Sequence, residues 1–213
     1  MGLKTELYAE QAEQWPHEGR HILAQFDQDT IIVYQAYQPA IGHYTAMHRT
    51  FGGGFSYSRM SWIKPNFLWM MYRSGWGTKA NQEITLALRI RREFFDALLA
   101  EAVPSSWDPT EFVTEDEWSQ AVSKSSVRLQ WDPDHHPTGA KLERRAIQLG
   151  LRGDVLKAFG QQELIDVIDI SDFVSAQRER LLSRGTSALV TPLERVYSPA
   201  DPEIALRLKL AKC

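Results

Sequence analysis

Arg59-Met-Ser-Trp-Ile-Lys-Pro-Asn-Phe-Leu-Trp-Met-Met-Tyr-Arg-Ser-Gly-Trp-Gly-Thr-Lys79 combines three tryptophans, four cations and helix punctuation in one segment. Residues 65–74 are apolar on nearly every side, which predicts a buried helix; Pro65 suits its first position and Gly75 its left-handed exit. Such a helix needs other elements packed around it, so the flanks decide the fold.

Thr30–Tyr37 is rich in β-branched and aromatic residues and bounded by Asp27, Asp29 and Pro39, which reads as a strand. Pro39 opens a helix running to about Arg49, ended by the glycines at 52–54. Ile84, Leu86, Leu88 and Ile90 alternate with Thr85, Ala87 and Arg89, a strand pattern, and a helix over 91–102 stops before Pro104. Residues 127–131 alternate and end at an Asp132-Pro133 turn, with 146–149 as partner strand up to Gly150. Helices are expected over 154–159, over 162–168 with Gln161-Gln162-Glu163 as its start, and over Ser171–Arg184 with Ser171 as cap. Residues 104–125 read as an acidic surface excursion in which Trp118 anchors a short helix, and 185–213 as a tail wrapping back. The expected fold is α+β: a single domain over 1–213, with a mixed, largely antiparallel sheet, a buried central helix and packed surface helices.

Composition narrows the function classes. Hydrophobic residues at 43% and charged ones at 24% are globular values and exclude a disordered or fibrous chain. A formal charge of −3 gives no bulk attraction for DNA or anionic lipid, so any polyanion binding must come from a local patch. Cys213 is the only cysteine, which excludes an internal disulfide and a cysteine metal cage. The longest apolar run, 67–72, is too short to cross a bilayer and no leader pattern opens the chain; a soluble cytoplasmic protein with no membrane partner is expected.

A helix start is the positive end of the backbone dipole and usually carries Asp, Ser or Thr, yet here Lys64 stands immediately before Pro65, with Arg59 upstream. Either an anion such as phosphate occupies the spot, or Lys64 points into water or pairs with a carboxylate supplied by the fold. Trp62, Trp69 and Trp76 recur every seven residues, but Gly75 interrupts the helix: Trp69 belongs to the core, while Trp62 and Trp76 either stack on a ligand or pack. Arg73 suits the last helical turn, and Gly75, Gly77 and Lys79 lack the spacing of a phosphate loop. Of Arg144 and Arg145, one should face inward and one outward; either this is a solvated charge run, or Arg144 or Arg145, with Arg145 preferred, joins the anion site. Tyr34 and Gln35 line a cleft, unless the tyrosine is tucked into the core. His135 and His136, beside Asp132 and Asp134, lack a third ligand at a helical offset; they read as solvated residues of a turn, and no metal site is assigned. No catalytic triad or carboxylate pair stands at an interpretable spacing, so Glu83 and Asp132 receive no role.

With residues 33–37, the tryptophan-rich block, Gln130-Trp-Asp-Pro133 and Arg145-Ala-Ile-Gln-Leu-Gly150 in view, the chain resembles the domain-of-unknown-function family numbered 4291 over nearly its whole length. The resemblance implies a single-domain extent and carries no catalytic residue. A weaker similarity to ADP-ribosyltransferase-type folds implies NAD as a cofactor, but Gln35 stands where those enzymes carry Arg or His and their Gln/Glu-x-Glu motif is missing. The resulting expectation is a site made by Tyr34, Gln35, Arg59, Trp62, Lys64, Arg73, Lys79 and Arg145. Its ligand would bear phosphate (a nucleotide, an NAD-like dinucleotide or an RNA end) and could be the substrate of a transferase. The alternative is a non-catalytic binding or protein-interaction module using the same aromatic and cationic patch.

Overall fold

The computed structural model describes residues 3–211; Cys213, on which the disulfide reading rests, lies outside them. The first half of the chain runs β1 (Thr5–Leu7), α1 (Tyr8–Ala12), β2 (Gly19–Arg20), β3 (Ile22–Ala24), β4 (Thr30–Tyr37), α2 (Pro39–His48), β5 (Ser61–Ile63), α3 (Phe67–Ser74), β6 (Ile84–Arg91) and α4 (Arg92–Glu101). The second half runs β7 (Val103–Pro104), α5 (Glu115–Lys124), β8 (Val127–His135), β9 (Lys141–Leu151), α6 (Gly153–Gln161), β10 (Leu164–Asp169), α7 (Ser171–Arg184), β11 (Val190–Pro192), β12 (Arg195–Tyr197) and α8 (Pro202–Arg207). The class is α+β, with mainly antiparallel pairing.

Two sheets organise it. One has the order β10-β6-β4, all antiparallel, with β4 paired along its full length. The other is built on the β8–β9 hairpin, with β7 parallel to β8, and with β2 and β5 sharing the far edge of β9. The segment 61–64 joins the sheets. Trp62 lies opposite Gly150 in β9, and two residues on, Lys64 exchanges both backbone hydrogen bonds with Tyr34 of β4, at 2.7 and 3.2 Å. One apolar cluster, including Val33, Leu88, Leu149 and Phe159, packs between the sheets, and a second gathers Tyr34, Phe67, Met71 and Val174 around α3.

Helix α3 is buried as expected and leaves through Gly75 at φ 60°. It begins at Phe67, however, two residues after Pro65. Asn66 caps it by accepting the Trp69 N–H at 2.6 Å, and Glu194 Oε1 accepts the Phe67 N–H at 2.7 Å. Two of the free donors at the helix mouth are thus met from inside the protein. The acceptor at the positive end of α3 is therefore a residue of the chain. Burial pushes the Glu194 carboxyl well above the usual carboxylate range, against the pull of the N–H bond it accepts.

Other elements differ from the sequence expectation. Residues 164–169 form a strand instead of a helix, because they complete the free edge of β6 and their Leu, Ile and Val content tolerates extended backbone; Gln161 and Gln162 accordingly end α6. Strand β8 continues through Asp132-Pro133 to His135. Strand β7 covers β8 only at Arg128 and Leu129 and the ladder shifts at Pro133–His135, so the missing proline N–H is accommodated at an edge. The reversal comes after His136, whose N–H donates to Ala140 O at 2.8 Å. Ser171 is the first residue of α7 and not its cap: Ile170 holds that position without a side-chain bond, Asp169 accepts the Ser171 N–H at 2.9 Å, and Ser171 Oγ accepts the Thr85 N–H. In the tail, β11 pairs with β1 and β12 with β3. Among the described residues no helix is long and apolar enough to cross a membrane.

Removing the Glu194 side chain leaves the Phe67 N–H buried without an acceptor. Glu194→Ala is expected to lower unfolding stability by about 2–3 kcal/mol, and Glu194→Gln, which keeps an acceptor oxygen, by clearly less. Urea titration of the three proteins checks this, and equal midpoints for wild type and Glu194→Ala would contradict it.

Candidate functional site

Residues paired across an antiparallel ladder share a face, so the register of β8 and β9 sorts their side chains. Leu129, Ile147 and Leu149 enter the core between the sheets. Gln130, opposite Gln148, and Asp132, opposite Ala146, take the other face, toward α3. There Gln130 Nε2 donates to Asp132 Oδ1 at 2.9 Å and Gln148 Nε2 to Oδ2 at 2.8 Å, so each carboxyl oxygen holds one amide. These three residues border a hollow of about 350 Å³ closed by Trp62, Lys64, Trp69 and Arg73.

A second hollow of about 190 Å³ shares Trp62, Lys64 and Arg73 and extends to Gln35, Ser61 and Gln82. Gln35 Nε2 donates to Ser61 Oγ at 2.8 Å and Trp62 O at 3.1 Å, leaving its buried Oε1 without a partner. Trp62 can lie against β9 because residue 150 is glycine. A Cβ there would come within 2.7 Å of Met60 Sδ and 3.0 Å of the indole.

Lys64 stands between the two hollows, 6% exposed. Among the described residues no hydrogen-bond or ion-pair partner reaches its amine. Burial, and then the charge of Arg73, pull the amine down to about 7, with Asp132 opposing.

Of the eight residues expected from sequence, Gln35, Trp62, Lys64 and Arg73 meet here. Tyr34 does not: it is wholly buried, its ring edge-on to Phe67 at 5.6 Å. Arg59 is exposed and borders neither hollow. Lys79 Nζ donates to Arg73 O at 2.7 Å, closing the end of α3. Arg145 is exposed and borders a separate hollow with Arg20 and Trp131. Arg144 is the inward arginine, 2.6 Å from Asp134 and also bonded to Pro16 O.

Trp76 packs against Phe67 and donates to Pro137 O at 3.3 Å. His135 is buried where solvation was expected, stacked on Tyr72 at 3.5 Å and on Trp69 at 5.2 Å, because β8 carries it under α3. Sequence reading missed Gln82, Gln130, Asp132 and Gln148 as lining residues. The signal for the last three was polarity at alternate positions of two strands whose other positions are apolar, hidden by ending β8 at Pro133.

Fold and site together define an α+β domain whose two sheets are stitched across a recessed polar site with a buried lysine. The chain matches the model of the family described as Domain of unknown function (DUF4291) over residues 21–197, and it belongs to that family. No curated protein matches it. The matched span contains every residue of the two hollows and Glu194.

The displaced lysine has a stability consequence. Between about 7 and the ordinary 10.5 the unfolded chain holds a proton at Lys64 that the folded protein sheds, so this residue makes stability rise with pH across that window, with its full cost present below it. Lys64→Met is expected to stabilise the protein by on the order of 2–3 kcal/mol at pH 6–7 and to flatten the rise. Chemical denaturation from pH 6 to 10 checks this, and parallel profiles for the two proteins would contradict it.

Proposed function

We propose that the hollows around Lys64 bind a phosphate-bearing ligand: a nucleotide, an NAD-like dinucleotide or an RNA end. The observation that carries this reading is the buried Lys64 side chain, its amine opening on the hollows with Arg73 beside it, and no anion paired to either among the described residues. An unpaired buried cation is costly, and a phosphate between the two side chains would relieve both the burial and their mutual repulsion. Trp62 offers an aromatic face for a base. Asp132 repels phosphate, so the phosphate sits on the Arg73 side and the carboxyl meets a donor, such as a ribose hydroxyl or a base amine. For a nucleotide- or NAD-dependent transferase, Asp132 is the group placed to take the proton of an attacking hydroxyl. The recessed shape favours this reading over a protein-interaction module, which would present a flatter patch.

Calorimetry with ATP, NAD, a 5′-phosphorylated dinucleotide and an unphosphorylated nucleoside tests it. The phosphorylated ligands are expected to bind and the nucleoside to bind at least about tenfold more weakly, a difference of about 1.4 kcal/mol. Phosphate is fully charged above pH 7, so the affinity should then fall as Lys64 loses its proton, toward tenfold per pH unit; Lys64→Met should bind weakly and without that slope. Equal affinity for nucleoside and nucleotide, or no binding at millimolar ligand, would overturn the reading.

A further inference from the structure

We infer that the ligand path continues past Gln130 into a second subsite along the open edge of β8, made by Arg20, Trp131 and Arg145, and that the ligand is a single-stranded oligonucleotide. This deepens the phosphate reading and rests on it.

The second subsite is a hollow of about 360 Å³, bordered by Arg20, Ser105, Trp107, Gln130, Trp131 and Arg145. Gln130 also borders the Lys64 hollow, so the two hollows meet at this residue, on either side of the β8 edge. The opening exists because β7 pairs with β8 only at Arg128 and Leu129, and from Gln130 onward the outer edge of β8 is free.

The chemistry on this edge suits a nucleic-acid strand. The Arg20 guanidinium lies 5.8 Å from the centroid of the Trp131 ring, and its only hydrogen bond among the described residues is a long one, 3.4 Å, to Leu208 O. Arg145 is exposed and among the described residues its guanidinium reaches only Trp131 O, at 3.5 Å. Neither arginine has an ion-pair partner among the described residues, so both forks remain available to a phosphate, which they match bidentately. Trp107 is 42% exposed and presents an aromatic surface of the kind on which unpaired bases stack. The acidic residues of the subsite do not cancel this. Asp108 and Glu111 are engaged by Lys209, at 3.0 and 3.3 Å.

With a net charge of −3 this edge cannot owe its cations to a generally basic surface. A mononucleotide fills the Lys64 hollow and leaves Arg20 and Arg145 idle. A strand with further phosphates engages both sites and adds a stacked base.

The test measures affinities for a 5′-mononucleotide and for a 5′-phosphorylated oligoribonucleotide of about four residues, using wild type, Arg20→Ala and Arg145→Glu. Because Arg145 is exposed, its variant should keep the wild-type melting temperature. The oligomer is expected to bind at least about tenfold tighter than the mononucleotide, and each variant to lose most of that gain while leaving mononucleotide affinity unchanged. The slope of log affinity against log salt for the oligomer should also become shallower by about 0.7 for each phosphate that a variant no longer neutralises. Mononucleotide binding with no gain for the oligomer, or a gain that survives both substitutions, overturns this inference alone. Failure of both ligands to bind overturns it together with the Lys64 reading.

Discussion

Two backbone hydrogen bonds between Lys64 and Tyr34 decide where the charge of this protein lies. They hold the Lys64 main chain between two sheets, one through Trp62 on β9 and the other through β4. Everything in the hollow follows from that stitch. It brings the even face of β8–β9 opposite the exposed shoulder of α3, and it seats a flexible cationic side chain where water is scarce. A lysine on an ordinary edge strand would reach solvent; this one is enclosed by Trp62, Met70 and Arg73.

The interior answers its other charges locally. Arg144 is met by Asp134 at 2.6 Å and stands over Trp15. Glu194 takes up the mouth of α3. Lys64 has no such answer: Asp132 across the hollow acts on it through its field, without a hydrogen bond or ion pair among the described residues. A unit charge pair at 4 Å is worth about 4 kcal/mol at an effective dielectric near 20, so withholding a partner is a large cost for a fold of ordinary stability. A ligand that supplies the missing charge recovers part of that energy as affinity.

Much of this was legible in the residues. The full extents of β4 and α7, the buried character of α3, its Gly75 exit and the inward–outward split of Arg144 and Arg145 followed from period and punctuation. Lys64 was legible as an anomaly, but for a partly mistaken reason: the dipole it would oppose is satisfied by Glu194, which lies 130 residues away and which no local pattern connects to α3. Asp132 was hidden by reading its proline as a turn, a propensity overridden at a sheet edge. Residues 164–169 were misread because their run of apolar and acidic residues fits helix and strand alike, and only the free edge of β6 decides between them. Tyr34 faces α3 because of strand parity, which cannot be assigned before one knows which side of the sheet carries the helix.

We propose that the amine of the buried Lys64, drawn down to about 7, is completed by a phosphate. The most direct measurement is an NMR titration of the lysine side-chain resonances in isotopically labelled protein, with Lys64→Met identifying the signal, free and saturated with a phosphorylated ligand. The account requires a free-state midpoint near 7 that rises when the ligand binds. A free-state midpoint above 10, or one that the ligand leaves in place, would contradict it.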